Sequence, residues 1–183
     1  MPEDLSPELA PTTRPSPKLT PKFQMAFLLT GLVMLGLDQL VKAWVRGAVP
    51  VHGSLGGKPF PGIFEITLTY NEGIAFGMLQ GMGPLLAPVA VVIAIASAWY
   101  SFRHPEEFWL SHVAMGLLAS GALGNLYDRV VAHKVTDMFW FRLIDFPVFN
   151  IADSCITVAT VLLMISWWRD AAKLKTSSVT SPS

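Results

Sequence analysis

The sequence predicts an all-α membrane protein: four transmembrane helices, a small extracytoplasmic β element after the first, and an interfacial loop or helix between the third and fourth. Three observations carry that expectation. Of the 183 residues, 52% are hydrophobic and only 14% charged, where an ordinary soluble domain carries roughly a quarter charged residues. Four apolar stretches approach the ~20 residues needed to cross ~30 Å of hydrocarbon. Five of the six tryptophans (Trp44, Trp99, Trp109, Trp167 and Trp168) fall near the ends of those stretches, where amphipathic rings favour the headgroup level.

Residues 1–22 hold six prolines and scattered charges with almost no apolar periodicity, a composition that buries too little surface to order itself. They read as a disordered cytoplasmic tail. The first span is placed at 23–45, running uncharged from Phe23 to Leu37 and on through Asp38 and Lys42. A cleaved secretory signal is its rival. The long preceding region and the lack of a small-x-small site before His52 favour a retained span.

In the β region, 50–83, Phe64, Ile66, Leu68 and Tyr70 alternate with Glu65, Thr67 and Thr69. Period-two alternation predicts a strand with one apolar face, and Gly56, Gly57, Pro59, Pro61 and Gly62 before it suggest an antiparallel element. The second span, 84–102, is closed by Arg103, and the third, 108–127, lies between Glu106-Glu107 and Asp128-Arg129. Residues 130–148 mix Phe139, Trp140 and Phe141 with charges, which suits an interfacial segment. The fourth span, 150–168, precedes a cytoplasmic tail at 171–183. No internal repeat is visible. Basic residues divide seven against six between the two sides of this topology, so the positive-inside rule favours cytoplasmic termini by one residue.

The net charge is zero and no long basic run exists, so nothing points to a nucleic-acid partner. A single cysteine, Cys155, excludes an intrachain disulfide and any multi-cysteine metal site. His52, His104, His112 and His133 are scattered and no H-E-x-x-H occurs, so no metal is expected. Cys155 has no histidine near it in sequence and reads as a buried structural thiol.

With four spans, the end of the first, the start of the second, the end of the third and the start of the fourth share one side of the membrane. The polar residues gather there: Asp38 and Lys42; Asn71 and Glu72; Asn125, Asp128 and Arg129; Asn150 and Asp153; and Asp137 in the loop joining the last two spans. An ionisable group at membrane depth costs ~2.5 kcal/mol or more, so each is a functional candidate with a partner expected. Bland readings stand beside that. Asp38 and Lys42, spaced i,i+4, suit a structural ion pair as well as a direct role. Asp128 and Arg129 suit a solvated or cross-linking pair, and Asp137 alone suits a solvated acid. Asp153, inside an apolar helix, is the stronger candidate. Two acids held together at a low-dielectric rim are pushed apart in pKa, so one keeps a proton while the other accepts one. That is the chemistry of an aspartyl protease. A proton-coupled transporter is the rival from another class, but it predicts acids spread through the membrane and inverted repeats.

The motifs Asp38-Gln39-Leu40-Val41-Lys42, Asn71-Glu72-Gly73-Ile74-Ala75-Phe76, Gly121-Ala122-Leu123-Gly124-Asn125-Leu126-Tyr127-Asp128-Arg129, Val135-Thr136-Asp137 and Phe149-Asn150-Ile151-Ala152-Asp153-Ser154 are those of a known family. In these five stretches, and over nearly its whole length beyond residue 22, the chain resembles the bacterial lipoprotein signal peptidase (signal peptidase II) family. It departs from the pattern at two packing positions, Ser120 for Gly and Met138 for Phe. The resemblance implies an inner-membrane peptidase that cleaves diacylglyceryl-modified prolipoproteins before the modified cysteine, without metal or cofactor. It implies Asp137 and Asp153 as the catalytic dyad. Asn71, Gly73, Asn125, Asp128, Arg129 and Asn150 then line or brace the substrate groove, supported by Asp38 and Lys42. The expected partners are these precursors and membrane lipid, with the chain acting as a monomer and its active site near the outer face. The strand region and the Phe139–Phe141 aromatics suit clamps on substrate from opposite sides, one or both moving over it, and suit a static membrane anchor equally well.

Overall fold

The computed structural model describes residues 21–73 and 83–179, with side chains over 23–73, 85–169 and at 171. Nearly all of the expected N-terminal tail, and residues 74–76 of the second motif, lie outside the described residues. The described elements run α1 (Pro21–Ala48), β1 (Ser54–Phe60), β2 (Phe64–Asn71), α2 (Gly83–Arg103), α3 (Trp109–Ala132), β3 (Val135–Trp140) and α4 (Ile151–Val179), with a 3-10 turn at Arg142–Ile144. α4 continues ten residues past Arg169, through Lys173 and Lys175.

α3 is the centre of the bundle, with α1, α2 and α4 each packed along it. Its small residues allow close approach. A Cβ on Gly116 would stand 2.6 Å from the Phe27 carbonyl oxygen, and one on Gly121 2.5 Å from that of Ala152. The outer faces of the other helices are bare of protein: Leu32 is 68% exposed, Ile95 64% and Met164 63%. Such continuous apolar surface belongs against hydrocarbon. Three helical segments among the described residues are long and apolar enough to cross a membrane: Phe23–Ala48, Leu85–Arg103 and Ile151–Arg169. α3 falls short of that measure because it buries Ser111, His112, Ser120, Asn125 and Asp128. A helix surrounded by protein needs fewer apolar side chains than one facing lipid.

The β element is a three-stranded antiparallel sheet in the order β1-β2-β3. Phe60-Pro61-Gly62-Ile63 turns the β1–β2 hairpin, with the Ile63 N–H donating to the Phe60 carbonyl at 3.0 Å and Gly62 at φ +74°, as a turn with Pro then Gly at its centre requires. Val45 of α1, Val49 just after it, Leu68 of β2 and Met138 of β3 form one buried cluster, which seats the sheet on the end of α1.

Two expectations are corrected here. Residues 130–148 are not one continuous loop or helix: α3 runs to Ala132, His133 ends it in the left-handed region, β3 takes Val135–Trp140, and only 141–148 is a loop with a 3-10 turn. Asp137 therefore sits on a strand, opposite Thr69 of β2. The strand forms because Val135, Thr136 and Phe139 supply β-branched and aromatic packing to an otherwise unpaired edge. The aromatics do not face the strand region from the opposite side, because Phe139 pairs with Ile66 and Trp140 with Glu65 within the one sheet.

Candidate active site

β1 and β2 join α1 to α2, and β3 joins α3 to α4, so the shared sheet puts both connections at one end of the bundle. The acids meet there. Asp137 from β3 and Asp153 from α4 line a single cavity of about 560 Å³, together with Asn71, Asn125, Arg129 and apolar side chains including Val135, Phe146 and Phe149.

Two amides tie the acids together. The Asn150 amide donates to Asp137 Oδ1 at 2.7 Å and to Asn125 Oδ1 at 3.0 Å, while the Asn125 amide donates to Asp153 Oδ1 at 2.8 Å. Asn150 also opens α4. Its Oδ1 accepts from the Asp153 N–H at 2.9 Å, and its own N–H donates to Asp153 Oδ2 at 3.2 Å. That reciprocal pattern is a capping box with Asp153 at the third helical position. The cap fixes the Asp153 carboxylate before any substrate is present. Burial pushes the Asp137 carboxyl up to about 7, with the Asp153 charge adding to the effect and the Asn150 amide opposing it.

A second layer holds the first. Lys42 is fully buried and its Nζ lies 2.9 Å from Asp38 Oδ2, 3.2 Å from Asp128 Oδ2 and 3.1 Å from Asn125 Oδ1. Asp38 accepts the Ala152 N–H at 2.9 Å, a carboxylate at the N-terminus of α4, where free N–H groups and the helix dipole favour an anion. Asp128 accepts the Thr136 N–H at 3.0 Å, which fixes β3 one residue before Asp137. Asp38 and Lys42 thus form an ion pair at i,i+4, while Asp128 links α1 to β3 and is not paired with Arg129 among the described residues. Arg129 donates to the Asn125 carbonyl at 3.4 Å and the Gly73 carbonyl at 3.3 Å, and the Gly73 N–H donates to Asn71 Oδ1 at 2.9 Å.

Sequence reasoning missed three supports. Gln39 bridges Asp38 to the Gly124 carbonyl, at 3.0 and 3.2 Å. Arg46 donates to Thr136 Oγ1 at 2.9 Å and lies 3.7 Å from Asp128. A Cβ on Gly124 would stand 2.6 Å from Asp38 Oδ2, so the glycine leaves room for that carboxylate. Arg46 was legible as the next residue at i,i+4 from Lys42 on the face that carries Asp38. Among the described residues no three His, Cys, Asp or Glu side chains gather to hold a metal ion.

A family model described as Signal peptidase (SPase) II matches residues 30–169. The chain belongs to the signal peptidase II family. Its membership makes it a protease of membrane character. Among its relatives, the lipoprotein signal peptidase of Streptococcus pneumoniae is 36% identical over 140 residues, covering 76% of this chain and 90% of that protein. The one from Desulfitobacterium hafniense is 37% identical over 133 residues, covering 73% and 86%. A solved bacterial membrane enzyme superposes with a TM-score of 0.72 at 29% identity, over 87% of this chain and 93% of that one. All five motifs of this signal peptidase II family member fall within the matched residues.

Proposed function

We propose that this signal peptidase II family member is an intramembrane aspartyl endopeptidase that removes signal peptides from diacylglyceryl-modified prolipoproteins, cutting before the modified cysteine, with Asp137 and Asp153 as its dyad. The removal of signal peptides from lipoproteins follows from the family; the aspartyl chemistry and the cleavage position are our reading. One observation carries it. The two acids line the same cavity and are joined through the Asn125 and Asn150 amides.

In this reading the ionised carboxylate takes a proton from water as it attacks the scissile carbonyl, and the protonated carboxyl donates to the carbonyl oxygen. Asp137, pushed up to about 7, is the natural holder of the proton near neutrality, although the pair titrates as a unit. Asn71 and Arg129 face the cavity with groups suited to an extended peptide backbone. Substrate carbonyls and N–H groups need such partners at membrane depth. We place the chain in the bacterial inner membrane with α3 as a fourth span, both termini cytoplasmic and the sheet on the outer face. Lipid-anchored substrate then reaches the cavity by diffusion in two dimensions, its acyl chains still in the bilayer.

The test is cleavage of a diacylglyceryl-modified precursor by wild type, Asp137→Asn and Asp153→Asn, each shown to be folded in detergent. Losing a general acid or base costs ~10²-fold or more, so both variants should fall at least that far. Full activity in either would remove that residue from the mechanism. Wild type that leaves the precursor intact, yet carries protons in liposomes, would favour a transporter.

A further inference from the structure

The strand β2 buries a charge that the dyad does not use. Glu65 is 1% exposed, yet among the described residues its neighbours supply only two donors to one oxygen. Oε1 accepts the Arg142 guanidinium and the Gly62 N–H, each at 2.9 Å, while buried Oε2 has no hydrogen-bond partner. The Gly62 N–H, then Arg142, hold its carboxyl below the usual carboxylate range. An ion pair with a half-exposed partner is weak evidence for stability, and the best-attested use of a buried charge is to fix one arrangement over others.

What this pair fixes is visible in the chain path. Arg142 opens the 3-10 turn, its guanidinium lies 5.2 Å from the Trp140 ring centre, and the Leu143 N–H donates to the Ile63 carbonyl at 3.3 Å. The turn is thereby fastened to the tip of the β1–β2 hairpin. From it the chain runs directly into Phe146, Pro147, Val148 and Phe149, which form one wall of the cavity, and then into Asn150. The far end of the wall is held by paired backbone bonds between Phe139 and Phe149, at 2.8 and 3.1 Å. The near end has the Phe146 N–H donating to the Phe141 carbonyl at 3.1 Å, packing among Phe141, Phe146 and Phe149, and the Glu65–Arg142 tie.

We propose that Glu65 and Arg142 are positioning residues for the peptidase: they latch the Phe146–Phe149 wall to the β1–β2 hairpin and so set the width of the cavity that receives substrate. The inference rests on the peptidase reading of that cavity. Neither residue touches the dyad, so the latch acts on substrate binding and not on the chemical step. Arg142 has a half-exposed side chain, and Arg142→Ala leaves no cavity in the core. Arg142→Lys keeps the charge but loses the planar fork and its stacking.

Two measurements decide it. Amide hydrogen exchange over residues 141–149 in wild type and Arg142→Ala needs no substrate: the wall should exchange at least about fivefold faster in the variant, as expected when a charge-assisted hydrogen bond that fastens it is lost. KM for the precursor should rise by about fivefold or more while kcat and its pH profile stay within twofold. Arg142→Lys should recover part of both, and the reversal Glu65→Arg with Arg142→Glu should recover more than either single change. Unchanged exchange, or faster exchange at unchanged KM, would overturn the latch. Wild type unable to cut the precursor, with exchange still accelerated in the variant, would fault the peptidase reading and leave the fastening itself intact.

Discussion

Lys42→Met keeps most of the lysine's length and apolar stem but removes the cation that Asp38 and Asp128 share at 2.9 and 3.2 Å. Two buried carboxylates would then face each other with only the Gln39 amide, the more distant Arg46 and two backbone N–H groups to offset them. Breaking a buried pair from one side costs about 3–5 kcal/mol, so the variant should lose a large part of its thermal stability in detergent. A loss below about 1 kcal/mol would mean that the network is more wetted than its burial indicates. The opposite sign is expected at Asp137. Its carboxyl is raised to about 7 by burial and by Asp153, so between the unfolded value near 4 and that value the folded chain binds the extra proton. The associated stability is complete below pH ~4 and is lost as the pH climbs through ~7. Asp137→Asn removes the penalty of the ionised form. It should therefore unfold at a higher temperature than wild type at pH 8, with the gap closing toward pH 5; a gap independent of pH would refute the assignment. Wild-type cleavage should fall above pH ~7 as the pair loses its shared proton.

At the scale of elements, α3 separates what the sequence disclosed from what it hid. Its length and its polar residues were legible, and Asn125 and Asp128 were singled out because ionisable and amide groups are costly in lipid. That these residues face α1, α4 and β3 was not legible. It follows from small residues whose partners lie elsewhere in the chain, such as Gly121 against Ala152 and Gly124 against Asp38. β3 was missed for a related reason: six residues, Val135–Trp140, are too short for periodicity to reveal them, and the neighbour that makes them a strand lies some 70 positions earlier. The capping box at Asn150 and Asp153 was local and readable, but it was overshadowed by the search for acids. Close helix packing gives a paired prediction. Gly121→Ala forces a Cβ to within 2.5 Å of the Ala152 carbonyl oxygen, whereas Gly36 in α1 has nothing within 4 Å. Overpacking costs about 1–3 kcal/mol, while alanine in place of an unobstructed helical glycine gains up to ~1 kcal/mol. Thermal unfolding should move in opposite directions for Gly121→Ala and Gly36→Ala. Equal shifts would mean that the α3–α4 contact relaxes freely.

For the whole molecule, the open question is how a chain with three strongly apolar helices arranges its two ends. Three crossings, with α3 left out, would put β1 and β2 on the opposite side of the membrane from β3; four put both connections on one side and the α2–α3 connection on the other. The sheet unites the α1–α2 and α3–α4 connections, and α3 is packed between α1, α2 and α4 along its length. Its 24 residues span about 36 Å at 1.5 Å per residue, enough to cross ~30 Å of hydrocarbon. Shielding by three neighbours removes the need for lipid-facing apolar side chains, so low hydropathy is no obstacle to crossing. Two surface positions test this. Leu143, 71% exposed beside the sheet, and Glu106, exposed between α2 and α3, lie at opposite ends of α3, and the native Cys155 is buried. With inner membranes held as sealed right-side-out vesicles, a membrane-impermeant maleimide should label Leu143→Cys at once and Glu106→Cys only after the vesicles are opened. Labelling of both from outside would remove α3 from the set of spans, while the reverse pattern would keep four spans and invert the orientation, placing the acids toward the cytoplasm.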